Sequence, residues 1–123
     1  LSGLVGSEMC IRDSYERVQR VNVPAAKLQD FVDAMTALEK AIIEAGHSDF
    51  FNGVFIPIGG GIHEAQTVMV RSATPDASSF GKLFDEYFDG EASWADEWLA
   101  LQAIGGTILS DNFEECEQTF SAN

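Results

Sequence analysis

The chain has no apolar run approaching the about 20 residues that a membrane-spanning helix needs, so no transmembrane segment is expected. Basic residues are scarce: seven Lys and Arg stand against 20 Asp and Glu, a net charge of −13. A surface of that sign repels phosphate backbones and anionic headgroups, which makes nucleic acid and membrane surfaces poor partners. There are only two histidines, His47 and His63, and two cysteines, Cys10 and Cys116. They form no CxxC and no Cys/His cluster, and no Ser-His-Asp or Cys-His arrangement can be assembled from them. No bound cofactor is implied.

Apolar content, by contrast, is ample. Hydrophobic residues fill 46% of the 123 positions, too many for a disordered chain and enough for one domain with one core. The acidic charge is concentrated late, where residues 76–123 hold eleven Asp and Glu against a single base, Lys82. The plainer reading of that asymmetry is a solvated face that keeps the protein soluble, rather than a site for a cation or a basic partner.

Residues 1–14, LSGLVGSEMCIRDS, carry neither a helical nor a strand period. The segment resembles the translated sequencing-adapter read-through found at the ends of metagenomic proteins. That resemblance implies a non-native segment to be set aside from the fold. Cys10 is then not a biological cysteine, Cys116 is left unpaired, and the native start is lost. Residues 15–123 form the single α+β domain, with truncation expected at either end and the compartment left open.

The stretch that organises the rest is residues 50–72, FFNGVFIPIGGGIHEAQTVMVRS. Two apolar runs, Val54-Phe55-Ile56 and Val68-Met69-Val70, flank Gly59-Gly60-Gly61, and the pattern predicts a β-hairpin turning at the glycines. Pro57 places the first of its strands at an edge or makes it irregular. The second, about 62–72, is expected to be covered on both faces for part of its length. Ahead of the hairpin, residues 15–23 predict a strand with Arg17 and Arg20 marking one wet face. After Pro24, apolar residues from Leu28 to Ile43 recur every three or four positions, so 25–45 reads as an amphipathic helix ended at Gly46. Beyond the hairpin, 77–88 and 93–104 read as helices. Thr107-Ile108-Leu109 reads as a short edge strand and 112–119 as a short acidic helical turn.

The order β-α-β-β-α(-α) is the start of a ferredoxin-like plan, in which an antiparallel sheet is covered by helices on one face. The uncovered face predicts a homodimer packed sheet to sheet. Over residues 15–109, in element order, helix lengths and the run RVNVPAAKLQDFVDAM, the chain resembles the dimeric α+β-barrel group, which includes antibiotic-biosynthesis monooxygenase-like and NIPSNAP-like domains. The resemblance implies either a cofactor-free oxygenase or a domain without known activity. Haem-degrading members use an Asn, a Trp and a His in that order. Here Asn52 precedes Trp94 but no histidine follows, so haem chemistry is not carried over.

Among single residues, His63 and Asn52 are the candidate catalytic groups, His63 because imidazole titrates near neutrality. His63-Glu64 does not continue as a zincin helix, since Thr67 stands where the second histidine belongs. Trp94, Trp98 and Phe84 are candidates to line an apolar ligand pocket, although the same stripe serves an ordinary core. Asp85, Asp89 and Asp96 imitate an EF-hand loop, with Tyr87 displacing one ligand. His47 is read as a loop residue at a helix end. The leading expectation is a small acidic, non-catalytic homodimeric domain. The alternatives are a cofactor-independent oxygenase or isomerase acting on a small apolar molecule, and a weak divalent-cation-binding module.

Overall fold

The computed structural model describes residues 13–61 and 65–117. Its elements are β1 (Ser14–Asn22), a short 3-10 turn (Ala25–Lys27), α1 (Leu28–Glu44), β2 (Phe51–Phe55), β3 (Thr67–Thr74), α2 (Ala77–Phe88), α3 (Ala95–Ile104) and β4 (Thr107–Cys116). The strands form one sheet in the order β2-β3-β1-β4, every neighbouring pair antiparallel. β1 and β2 therefore run the same way with β3 inserted between them, and β3 and β4 run the same way around β1. Two interleaved split βαβ units result, which is the ferredoxin-like arrangement.

The helices form where the periodicity places them. In α1, Phe31, Met35, Leu38 and Ile42 are buried on one stripe; each contributes about 1.5–3 kcal/mol by leaving water. Gly46, at φ 110°, ends the helix, and its N–H donates to the carbonyl of Ile43 at 3.0 Å. α2 starts at an N-cap, the carboxylate of Asp76 accepting the Ser79 N–H at 2.7 Å. At the far end of α3, Lys27 Nζ donates to the otherwise unpaired carbonyl of Ile104 at 3.1 Å.

Strand alternation fixes which side chains face the helices. Arg17, Gln19 and Val21 of β1 share the inner face with Val68, Val70 and Ser72 of β3 and Asn52 and Val54 of β2. The core sits between this face and the stripe of α1, with Leu83, Trp94 and Leu101 completing it. Glu16, Val18, Arg20, Met69, Arg71, Phe51 and Phe55 point the other way, to a face that carries no helix among the described residues. On that face Arg71 Nε and Nη2 reach Glu16 Oε1 at 2.7 and 2.6 Å, and both side chains are nearly buried.

Four local expectations are corrected. Arg17 and Arg20 do not mark one wet face, because an odd separation along a strand sends them to opposite sides. β2 and β3 pair antiparallel as the expected hairpin, but β2 ends at Phe55 and β3 begins at Thr67, so the strands are shorter toward the turn and Gly59-Gly60-Gly61 lies within a long connection. Residues 112–116 continue β4 instead of turning helically, because pairing with β1 from Ser14 onward supplies backbone partners that the local sequence does not advertise. The last helix begins at Ala95 and not at Ser93, with Trp94 as its N-cap.

Candidate functional site

Between the inner face of the sheet and the three helices lie two adjoining cavities of about 150 Å³ each. One is bounded by α1, α3 and the Gly105-Gly106 connection, with Phe31, Met35 and Leu101 in its wall. The other is bounded by α2, with Leu83, Tyr87 and Trp94 in its wall. Arg17, Gln19, Leu38, Ser72 and Trp98 line both, so the two form the halves of one cleft whose floor is the middle of the sheet. Its walls are largely apolar and aromatic, with Gln102 of α3 among them, and the polar groups of its floor rise from β1 and β3. That is the usual composition of a small-molecule site.

The polar groups on the floor are held by partners outside the cleft. Arg17 forms a two-pronged pair with Asp111 of β4, Nε to Oδ1 at 2.9 Å and Nη2 to Oδ2 at 2.7 Å. The guanidinium also lies 5.8 Å from the ring centroid of Phe113. The hydrogen bond from Arg17 holds the Asp111 carboxyl below its ordinary value, with a smaller contribution from Gln19. Ser72 Oγ donates to Asn52 Oδ1 at 2.7 Å. Asn52 sits on the edge strand β2, and its backbone N–H donates to Glu39 of α1, also at 2.7 Å. Beyond Arg17, the rings of Tyr15, Phe80, Phe84 and Phe113 pack on one another and fill that end.

Two donors near this cleft have no acceptor. The indole Nε1–H of Trp94 is buried without a partner in a residue that is only 6% exposed, and Tyr87 stacks on its ring at 5.9 Å. Asn52 Nδ2 is likewise buried and unpartnered. A buried donor left unpaired costs about 1–3 kcal/mol.

The expected pocket residues Trp94, Trp98 and Phe84 all line the second half of the cleft. Asn52 shares the inner sheet face with Ser72. His63 lies outside the described residues, as does Cys10. Asp85, Asp89 and Asp96 are not brought together: they fall on α2, just past its end, and in the first turn of α3. Among the described residues no group of three or more His, Cys, Asp or Glu side chains can hold a metal ion. His47 does more than cap a helix, since its Nε2 meets Glu86 Oε2 and ties the end of α1 to α2. Cys116 is disulfide-bonded rather than free, so the expectation of an unpaired thiol is corrected. Its position opposite Ser14 puts the last residue of β4 beside the start of β1.

Sequence reasoning passed over Arg17, Gln19 and Ser72. A usable signal existed: counting by twos back from the core residue Val21 puts Gln19 and Arg17 on the core face. Polar residues at such positions ask for a reason.

No family model and no curated protein matches the chain. Among solved structures, a conserved protein from Methanosarcina mazei Go1 is similar, with a TM-score of 0.53 at 11% identity over 91% of this chain and 99% of that one. A protein from Bacteroides fragilis, described as dimeric, of unknown function and of ferredoxin-like fold, has a TM-score of 0.44 at 13% identity, over 85% of this chain and 95% of that one. What the first likeness shows is the fold. The finer resemblance to monooxygenase-like or NIPSNAP-like domains gains no support from it. No helix among the described residues is long and apolar enough to cross a membrane.

Proposed function

We propose that the domain is a homodimeric binding module that holds a small, largely apolar molecule in the cleft between sheet and helices. The observation that carries this reading is the cleft itself, two adjoining cavities of about 150 Å³ where a core of this size would ordinarily be filled. A cavity of that volume with apolar walls accepts a benzene-sized guest. The oxygenase or isomerase alternative needs a base beside the guest, and among the described residues that line the cleft none is a carboxylate or a histidine. Binding without chemistry is therefore the reading adopted. Protein-observed NMR with a set of one- and two-ring aromatic compounds tests it. Shifts should gather on the indole signals of Trp94 and Trp98. Shifts confined to exposed side chains such as Leu99, or none at all, would refute it.

The second copy is assigned, on charge, to the sheet face that carries no helix among the described residues. In a chain of net charge −13, the strand positions of that face balance, with Glu16 and Glu114 against Arg20 and Arg71. Two copies meeting there avoid the repulsion that acidic surfaces impose elsewhere. Phe51, 44% exposed, adds apolar area. Light scattering should report a dimer that Phe51→Glu or Met69→Glu converts to a monomer. A wild-type monomer would remove this half of the proposal.

A further inference from the structure

We infer that the outer edge of β4 is a docking site for an extended basic segment of another protein, a strand bearing Lys or Arg that adds beside β4 as the fifth strand of the sheet.

The sheet has two outer strands, β2 and β4, and they are built differently. β2 is five residues long, and Pro57 stands just beyond its end. A short edge strand next to a proline is a common device against pairing with other chains. β4 has ten residues and no proline. Among the described residues β1 is its strand partner on one side, and the backbone N–H and C=O groups on its other side meet no ladder. The register shift in its pairing falls between Arg20 and Val21, so Ser110 to Cys116 run regularly. The strand is also open to solvent: Ile108, Leu109 and Phe113 are 51%, 53% and 46% exposed. Large apolar side chains half in water do not blunt an edge. They offer cross-strand partners to an incoming strand.

Charge selects the occupant. Residues 107–117 hold Asp111, Glu114, Glu115 and Glu117 and no base. Arg17 meets Asp111, whereas the three glutamates are exposed and form no ion pair among the described residues. Glu115 stands opposite Tyr15 on the helix side of the sheet, and Glu114 stands opposite Glu16 on the other. An added strand therefore meets a carboxylate on each of its faces. Opposite charges across a strand pair stabilise it and like charges oppose it. A second copy of β4 on this edge would double the acidic run, and an acidic segment would be repelled. A strand with Lys or Arg at one end and apolar residues at the other matches both ends of β4, the glutamates toward Cys116 and Ile108 and Leu109 toward Thr107. In strand addition of this kind the backbone supplies affinity and alternate side chains supply selection.

Three peptides of the length of β4 test the inference. The first has three lysines followed by alternating Val and Thr, the second has Glu in place of Lys, and the third is the lysine peptide with every amide of its Val-Thr part N-methylated. Added to ¹⁵N-labelled protein, the lysine peptide should shift the β4 amides from Ser110 to Cys116 and slow hydrogen exchange at alternate residues of that strand. It should bind about tenfold or more tighter than either of the others at low salt, and more weakly as salt is added. Glu115→Gln combined with Glu117→Gln should weaken it roughly two- to thirtyfold, the value of two cross-strand charge pairs. Equal binding of the glutamate peptide, undiminished binding of the N-methylated one, or an unchanged affinity in the double variant overturns the inference. Should that variant fail to fold, the three peptides on the wild type decide. Shifts that avoid β4, or no shift at all, also overturn it. So does protection of the β4 amides that rises with protein concentration in the absence of peptide, which would give the edge to a second copy.

Discussion

Replacing Glu16 by Ala should be among the most damaging single changes in the protein. The carboxylate accepts two hydrogen bonds from Arg71, at 2.7 and 2.6 Å through one oxygen, and one from Ser14 Oγ at 2.7 Å through the other. The Glu16 and Arg71 side chains are 6% and 7% exposed. Removing one partner of such a pair leaves a guanidinium buried without a counter-charge, a loss of about 3–5 kcal/mol, whereas an exposed pair is worth about 0–1 kcal/mol. In a domain of this length each kcal/mol moves the midpoint by several degrees, so Glu16→Ala should lower Tm by roughly 10–25 °C. Urea unfolding followed by circular dichroism measures the free energy directly. Replacing both residues together by Leu and Met should recover most of the loss, because the penalty is the orphaned charge and not the missing attraction. A Glu16→Ala loss below about 1 kcal/mol would refute this reasoning. It would mean that water reaches the pair.

Other perturbations probe the remaining parts of the fold. Asp111 and Asp76 both have carboxyls held below the ordinary value of 3.8, by hydrogen bonds from Arg17 and from Ser79 respectively. Their contribution is present above that unfolded-state value and is lost as pH falls through the folded one. Asp111→Asn should therefore flatten the decline in urea midpoint below about pH 4 while changing little of its slope at neutral pH; an unchanged acid limb would contradict this. Gly106→Ala should cost about 1–3 kcal/mol, since the residue sits at φ 122° and an added methyl would come within 3.0 Å of the Asn22 carbonyl and 3.2 Å of Val21. A neutral Gly106→Ala in the same unfolding assay would mean that the β1–β4 junction is looser than described. Leu38→Ala, at a residue that lines both halves of the cleft and is 4% exposed, should cost about 2–5 kcal/mol. The same variant should take up larger aromatic guests than the wild type, which calorimetry would detect.

Much of the architecture could be read from the chain because each helix advertises itself locally. The stripe through Phe31, Met35, Leu38 and Ile42 and the Asp76 cap require no knowledge of the rest of the molecule. The start of β4 was readable, Thr107-Ile108-Leu109 being an edge strand as expected, but its continuation was not. The residues of TILSDNFEEC are mostly exposed and include Asp111, Glu114 and Glu115, and they are extended because β1 offers a ladder from Asn22 back to Ser14. An edge strand held by a distant partner leaves little trace in its own sequence. The hairpin was legible, but the length of the β2–β3 connection was not, for a related reason. Three glycines announce a turn, but only the register of Phe51 with Ala73 and Phe55 with Met69 shows how much chain is left over between the strands.

The cleft was half legible, and the illegible half is the more informative. Aromatic residues that fill a core and aromatic residues that line a pocket have the same spacing, so Trp94, Trp98 and Phe84 did not by themselves distinguish the two. What distinguishes them is the company they keep. Arg17, Gln19, Asn52 and Ser72 occupy inner-face strand positions where Val21, Val54, Val68 and Val70 set the local rule. A fold that wanted only a core would place apolar residues there and avoid the partial desolvation of four polar side chains. Departures from local consistency gather at functional sites because selection for binding can outweigh a loss of stability. Here they gather on the central strands β1 and β3 and the neighbouring edge strand β2, beneath the helices that wall the cleft.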